Sequence, residues 1–175
     1  MGTNLPNSVT SIEPCAFQNC TSLTSVTIGN GLTSIGDGAF GSCSNLTAIN
    51  VATGNASYSS QDGVLYNKNK TTIIEYPPGK TGSTFTIPDN VISIREGAFL
   101  YRTKLTSITI PSSVTSIEES AFGNCENLNS VTFQGMITSS NLAMSFDGDL
   151  RDKYLARGIG TYTRPNNGYT SWTKQ

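Results

Sequence analysis

Six apolar positions recur along this chain at a step of 23 residues. Ile12, Phe17, Cys20, Leu23, Val26 and Ile28 return as Ile35, Phe40, Cys43, Leu46, Ile49 and Val51. Further on, Ile94, Phe99, Arg102, Leu105, Ile108 and Ile110 return as Ile117, Phe122, Cys125, Leu128, Val131 and Phe133. A period in the twenties is the mark of a solenoid, because one unit of that length cannot enclose its own Ile, Phe, Leu and Val and must bury them against its neighbours. The regular repeats cover residues 5–51 and 87–133, an irregular insert occupies 52–86, and 134–175 leave the pattern altogether. The whole is read as one structural domain: an array over 1–133 and a cap over 134–175.

Each repeat ends in an alternation such as Val26-Thr27-Ile28, with β-branched residues pointing one way and Thr the other, as a half-buried strand requires. A short extended stretch follows (Val9 to Ile12, Leu32 to Ile35, Val91 to Ile94, Val114 to Ile117), then an Ala-Phe turn too brief for an isolated helix. Parallel strands about 4.8 Å apart then stack along the array. The strands at 25–28, 48–51, 107–110 and 130–133 are expected in one sheet, with at least one rung added by the insert.

The unit spanning 110–133, IPSSVTSIEESAFGNCENLNSVTF, closely resembles the 23-residue leucine-rich repeats of the BspA-like bacterial surface antigens. Tyr58 to Lys68 and Tyr76-Pro77-Pro78-Gly79-Lys80 resemble the atypical unit those proteins place between regular repeats. The tail from Gly148 is similar to the C-terminal cap of spirochaete members. The resemblance implies a leucine-rich repeat solenoid: a parallel β-sheet with short second strands and short helical turns, closed by a helix and a hairpin. It also implies a non-enzymatic protein, secreted or at the cell surface, that binds host-matrix proteins or other bacterial cells. It brings no catalytic residues and no cofactor, and a shared repeat does not fix the ligand.

Outward positions of the strands form two polar columns. Ser25, Ala48, Ser107 and Ser130 stand beside Thr27, Asn50, Thr109 and Thr132. This face is one candidate binding surface, and the insert is the other. There Asp62-Gly63 signals a tight turn, and Val64-Leu65-Tyr66 pairs with Thr72 to Tyr76 across Asn67 to Lys70 as a hairpin. Tyr58 and Tyr66 are the expected accessible aromatics beside Lys68 and Lys70, a combination enriched at protein interfaces. Tyr76 falls near a core position. In the tail, Asp147 is expected to N-cap a helix running to about Arg157, with Gly158 after it. A hairpin of 161–164 with 169–174 then turns at Pro165-Asn166-Asn167-Gly168.

Composition narrows the chemistry. The chain holds 22 Ser, 23 Thr, 16 Asn, a net charge of -1 and only 13% charged residues, so it lacks the clustered Lys and Arg that bind nucleic acid. Histidine is absent, which removes His-dependent triads and His-ligated zinc. No apolar run of membrane-spanning length occurs, and the first residues carry no leader pattern. Four N-x-S/T sequons, beginning at Asn19, Asn45, Asn55 and Asn69, are what such a composition produces by chance. Cys20, Cys43 and Cys125 share one repeat position and are expected as buried thiols; a Cys20–Cys43 disulfide is the alternative. Cys15 is expected on the surface of its turn.

Two other functions fit the pattern less well. A polysaccharide-active β-solenoid enzyme needs acid and base groups gathered in a groove, which the columns do not contain. A self-associating spacer of a longer surface protein is the other. Only about four residues precede Leu5, too few to cover the first rung or pair its strand, so the chain is expected to be a fragment of a longer array or to form a weak homodimer through that first repeat.

Overall fold

The 23-residue step is the step from one strand to the strand beside it. The computed structural model describes residues 1–165 and 171–175, which divide into two compact units, Met1–Thr81 and Gly82–Gln175. In the first, β1 (Gly2–Leu5), β3 (Ser25–Ile28) and β5 (Ala48–Val51) form a parallel sheet in which Leu5 faces Ile28 and Ile28 faces Val51. A second ladder joins β2 (Ser11–Ile12) to β4 (Ser34–Ile35). The turns supply a third, in which the N–H groups of Cys15, Phe17 and Asn19 donate to the carbonyls of Asp37, Ala39 and Gly41 at 3.1, 2.8 and 2.9 Å. Between the ladders Ile12, Val26, Ile28, Leu32, Phe40, Leu46 and Ile49 are buried, and Phe17 stacks on Phe40 with centroids 5.5 Å apart.

The expected helical turns take the form of linked turns. Cys15 and Asn19, and one rung later Gly38 and Ser42, have positive φ. A left-handed residue every fourth position ends each helical turn before it can propagate.

Strand β1 corrects the reading of the N-terminus. Residues 2–5 do pair the edge of β3, because the same register runs one rung further back and sets Thr3 against Val26. The insert contains the expected hairpin of Val64–Tyr66 with the strand from Thr72 and adds a third strand before it. Its strands β6 (Tyr58–Gln61), β7 (Val64–Asn67) and β8 (Thr72–Glu75) form an antiparallel meander. At the Asp62-Gly63 turn, both residues with positive φ, Gly63 lends its carbonyl to the N–H of Ile49 at 2.8 Å. Ser60 Oγ accepts the N–H of Val51 at 3.0 Å. These two contacts satisfy the N–H groups of Ile49 and Val51 on the outer edge of β5.

In the second unit β9 (Thr84–Thr86), β11 (Ser107–Ile110) and β13 (Ser130–Phe133) are parallel and in register, and β10 (Ser93–Ile94) pairs with β12 (Ser116–Ile117). The four strands expected in one sheet therefore fall in two, β3 and β5 with β1, β11 and β13 with β9. Past β13 the chain adds half a rung, with bridges from Ile117 to Leu142 and from Phe122 to Phe146. Helix α1 (Leu150–Arg157) and the strands β14 (Gly160–Thr163) and β15 (Thr173–Lys174) follow, and β14 runs antiparallel to both β13 and β15. Asn166, Asn167 and Gly168 of the expected hairpin turn lie outside the described residues.

The helix starts later than the Asp147 reading. Asp149 occupies the N-cap and makes no side-chain cap bond, because its carboxylate accepts the N–H of Trp172 at 2.7 Å and the hydroxyl of Ser171 at 3.4 Å. Gly158 ends the helix with its N–H on the Tyr154 carbonyl. Arg164 packs over Trp172 at 4.9 Å and donates to the carbonyls of Leu128 and Cys125 at 2.7 and 3.0 Å. It thereby ties the chain after β14 to the last regular repeat.

Candidate functional site

On β11 and β13 the alternation buries Ile108, Ile110, Val131 and Phe133 and turns Ser107, Thr109, Ser130 and Thr132 outward, half-exposed. The register extends these columns beyond the residues read from sequence. One row runs Thr84, Ser107, Ser130, Thr163, Thr173 and the other Thr86, Thr109, Thr132, Thr161. Thr132 and Thr161 share a hydrogen bond of 2.9 Å, and Gln175 Nε2 donates to Thr163 Oγ1. No ionisable side chain stands in either row among the described residues. Thr84, Thr86, Thr161, Thr163 and Thr173 are not legible from the regular pattern, because they lie in the insert 52–86 and the cap 134–175. A signal existed for the first two, since Thr84-Phe85-Thr86 precedes Ser107-Ile108-Thr109 by 23 residues.

The first unit carries a narrower version, with Gly2, Ser25 and Ala48 beside Asn4, Thr27 and Asn50. Ala48 breaks its hydroxyl column where the insert's turn approaches β5: a Cβ built on Gly63 would lie 2.9 Å from the Ala48 Cβ and 3.0 Å from its Cα, so position 63 requires glycine.

The insert residues are not assembled as the sequence reading expected. Tyr66 is buried, 2% exposed: Val64, Leu65 and Tyr66 are all buried, Leu65 in the core cluster of the first unit and Val64 and Tyr66 outside it, so both faces of β7 are covered. Tyr66 is therefore withdrawn from the accessible pair. Tyr58 stays half-buried, its hydroxyl donating to the Thr33 carbonyl at 3.3 Å. Lys68 Nζ is held by the Asn55 carbonyl, with that of Thr53 at 3.4 Å, and Lys70 Nζ donates to Gln61 Oε1 at 3.1 Å. These side chains brace the meander.

Burial, with a smaller contribution from Asp62, pushes the Tyr66 hydroxyl up to about 12. The folded state thus prefers the neutral phenol, and this contribution to stability is complete below pH ~10 and is lost as pH rises toward 12. Unfolding followed across that window should show an alkaline loss that Tyr66→Phe reduces, the remainder belonging to Cys125, Tyr154 and Tyr162, which burial also raises. An unchanged pH dependence in Tyr66→Phe would assign the loss to another group.

No disulfide joins the cysteines among the described residues; Cys15 is exposed, Cys20 partly buried, and Cys43 and Cys125 buried. Cys43 and Cys125 each donate Sγ–H to a carbonyl of the neighbouring rung, Phe17 and Phe99, at 2.9 Å. Burial pushes the Cys125 thiol up to about 11 despite the nearby Arg102 and Arg164, which keeps it protonated and unreactive.

Repeats of this register and turn geometry match a family model described as the BspA type leucine rich repeat region, in six copies over residues 2–82 and 79–148. The chain belongs to the BspA-type leucine-rich repeat family. The match takes in β1 and the half rung at 137–146, both outside the regular repeats read from sequence. Among solved structures, a leucine-rich repeat protein from Eubacterium ventriosum is 29% identical with a TM-score of 0.62, covering 78% of this chain and 45% of that one. A leucine rich cell surface protein from Faecalibacterium prausnitzii is 28% identical with a TM-score of 0.58, covering 81% and 42%. The pneumococcal vaccine antigen PcpA, 20% identical with a TM-score of 0.60 over 84% and 40%, shares the fold. This BspA-type chain thus spans less than half the length of these structures. No curated protein matches it, and no helix among the described residues is long and apolar enough to cross a membrane.

Proposed function

We propose that this BspA-type chain is a non-catalytic binding module, secreted or displayed at a cell surface, that adheres to a protein of the extracellular matrix or of another bacterial cell. The observation that carries the proposal is the uncharged hydroxyl face of the second unit, two rows on contiguous strands. Its short side chains hold the backbone close to any partner and offer hydrogen bonds without an acid, base or metal-ligating group. The F. prausnitzii neighbour, titled a cell surface protein, supports the location.

Binding of the chain to immobilised matrix proteins and to intact bacterial cells tests this reading. Thr109→Arg with Ser130→Arg should weaken it about tenfold or more, near 1.4 kcal/mol, while Tyr58→Ala leaves it within about twofold. Loss in Tyr58→Ala with an unaffected arginine pair would move the site to the insert. Reproducible turnover of a neutral or acidic polysaccharide would replace the binding module by an enzyme.

A further inference from the structure

Four turns that follow a sheet strand are closed by a main-chain hydrogen bond. The N–H groups of Val9, Asn55, Val91 and Val114 donate to the carbonyls of Pro6, Ala52, Pro88 and Pro111 at 3.0, 3.0, 3.0 and 3.1 Å. The turn from Gly29 to Leu32, after β3, is open. Its Gly29 carbonyl instead accepts Asn55 Nδ2 at 2.8 Å, as the Leu32 carbonyl does at 3.1 Å. The N–H groups of Gly31 and Leu32 find no acceptor among the described residues. At the tip of this turn stand Asn30, exposed, and Gly31, half-exposed. The Asn30 main-chain N–H is held by Asn7 Oδ1 at 2.8 Å, whereas its side-chain amide makes no hydrogen bond among the described residues. Glycine is required beside it: a Cβ built on Gly31 would lie 1.9 Å from the Asn7 carbonyl oxygen.

We infer that Asn30 is a site of spontaneous covalent modification, at which the Gly31 nitrogen attacks the Asn30 side-chain amide in the folded chain. The nitrogen gives its proton to solvent and bonds to Asn30 Cγ. The bond from Cγ to Nδ2 breaks, and the departing nitrogen takes a proton from solvent and leaves as ammonia, so that a cyclic imide remains. Water then opens the ring. Cleavage at Cγ gives aspartate at position 30, and cleavage at the main-chain carbonyl carbon gives isoaspartate, with the chain running on through Cγ. The open turn favours the attack because the Gly31 N–H has no hydrogen bond to give up and no side chain shields it, while the unbonded amide turns freely in water. Either product adds a negative charge to a chain whose net charge is -1. Isoaspartate also lengthens the main chain between Gly29 and Leu32, whose carbonyls Asn55 holds, and so loosens the insert's grip on the array. The inference is independent of the hydroxyl face, and neither test bears on the other. Asn167-Gly168, the chain's other Asn-Gly pair, lies outside the described residues.

Peptide mapping by mass spectrometry, after incubation of the whole chain in mildly alkaline buffer with and without denaturant, reads the conversion at Asn30. The native rate should lie within about tenfold of the denatured one, rise with pH as the attacking nitrogen loses its proton, and vanish in Asn30→Gln. The isoaspartate form, separated from the parent by its charge, should unfold at a lower denaturant midpoint than Asn30→Asp, which carries the same charge on a main chain of normal length. A native rate more than about tenfold below the denatured one, or an isoaspartate form as stable as Asn30→Asp, overturns the inference.

Discussion

Phe122→Ala is expected to destabilise the second unit by about 3–5 kcal/mol, seen as a lower denaturant midpoint with little change in slope. Phe122 is the middle ring of a column. It stacks on Phe99 at 4.8 Å and on Phe146 at 4.6 Å, the latter with its ring nearly parallel at 6°, and it is 1% exposed. Its N–H donates to Ser145 at 2.7 Å, so the backbone around it is tied to the next half rung and cannot collapse freely into the space the ring leaves. The cost therefore includes both the lost transfer energy of the ring and the cavity. Phe17 is the control: it stacks on one neighbour only and is partly open to solvent, so Phe17→Ala should cost roughly half as much. Equal losses at the two positions would show that the column contributes no more than simple burial.

Asn55→Ala should cost the first unit a comparable amount, about 3–5 kcal/mol. The Asn55 side chain is completely buried and makes four hydrogen bonds. Nδ2 donates to the carbonyls of Gly29 and Leu32 at 2.8 and 3.1 Å, and Oδ1 accepts the N–H groups of Ser57 and Tyr58, both at 2.8 Å. Alanine would leave two acceptors and two donors buried without partners, each bearing its own desolvation penalty. Asn55→Asp separates the two halves of the network, since a carboxylate keeps the acceptor role and sets negative charge against two carbonyls. It should be destabilising above the carboxylate range and partly restored in acid, where a protonated Asp can donate once. Near-wild-type stability of Asn55→Ala would mean that water replaces the amide, and the network would not hold the insert to the array.

Asn55 also shows where reading the sequence stops. In a chain so rich in Asn, Ser and Thr it passes for one chance sequon among four, and nothing local marks it as the buried one. Its partners Gly29 and Leu32 lie 26 and 23 residues away, at positions set by the packing of neighbouring rungs. Tyr66 is similar, because alternation places it on the opposite face from Leu65 and only the folded chain covers both faces of β7. The same limit hid the cap's role for Asp149, whose carboxylate goes to Trp172 rather than to the helix it precedes.

By contrast, the strands at 25–28, 48–51, 107–110 and 130–133, their inward faces and the buried Cys43 and Cys125 could be read before any coordinates. Side-chain direction along a strand has a period of two and the rung a period of 23, so each residue's own position sets its face and its neighbours above and below. What only the tertiary structure decided is where each ladder stops. Gly63 and Ser60 end the first sheet at β5, and β14 ends the parallel order after β13, because the N–H and C=O groups of a terminal strand take whichever partner the folded chain brings within about 3 Å. That choice is made by residues outside the regular 23-residue pattern.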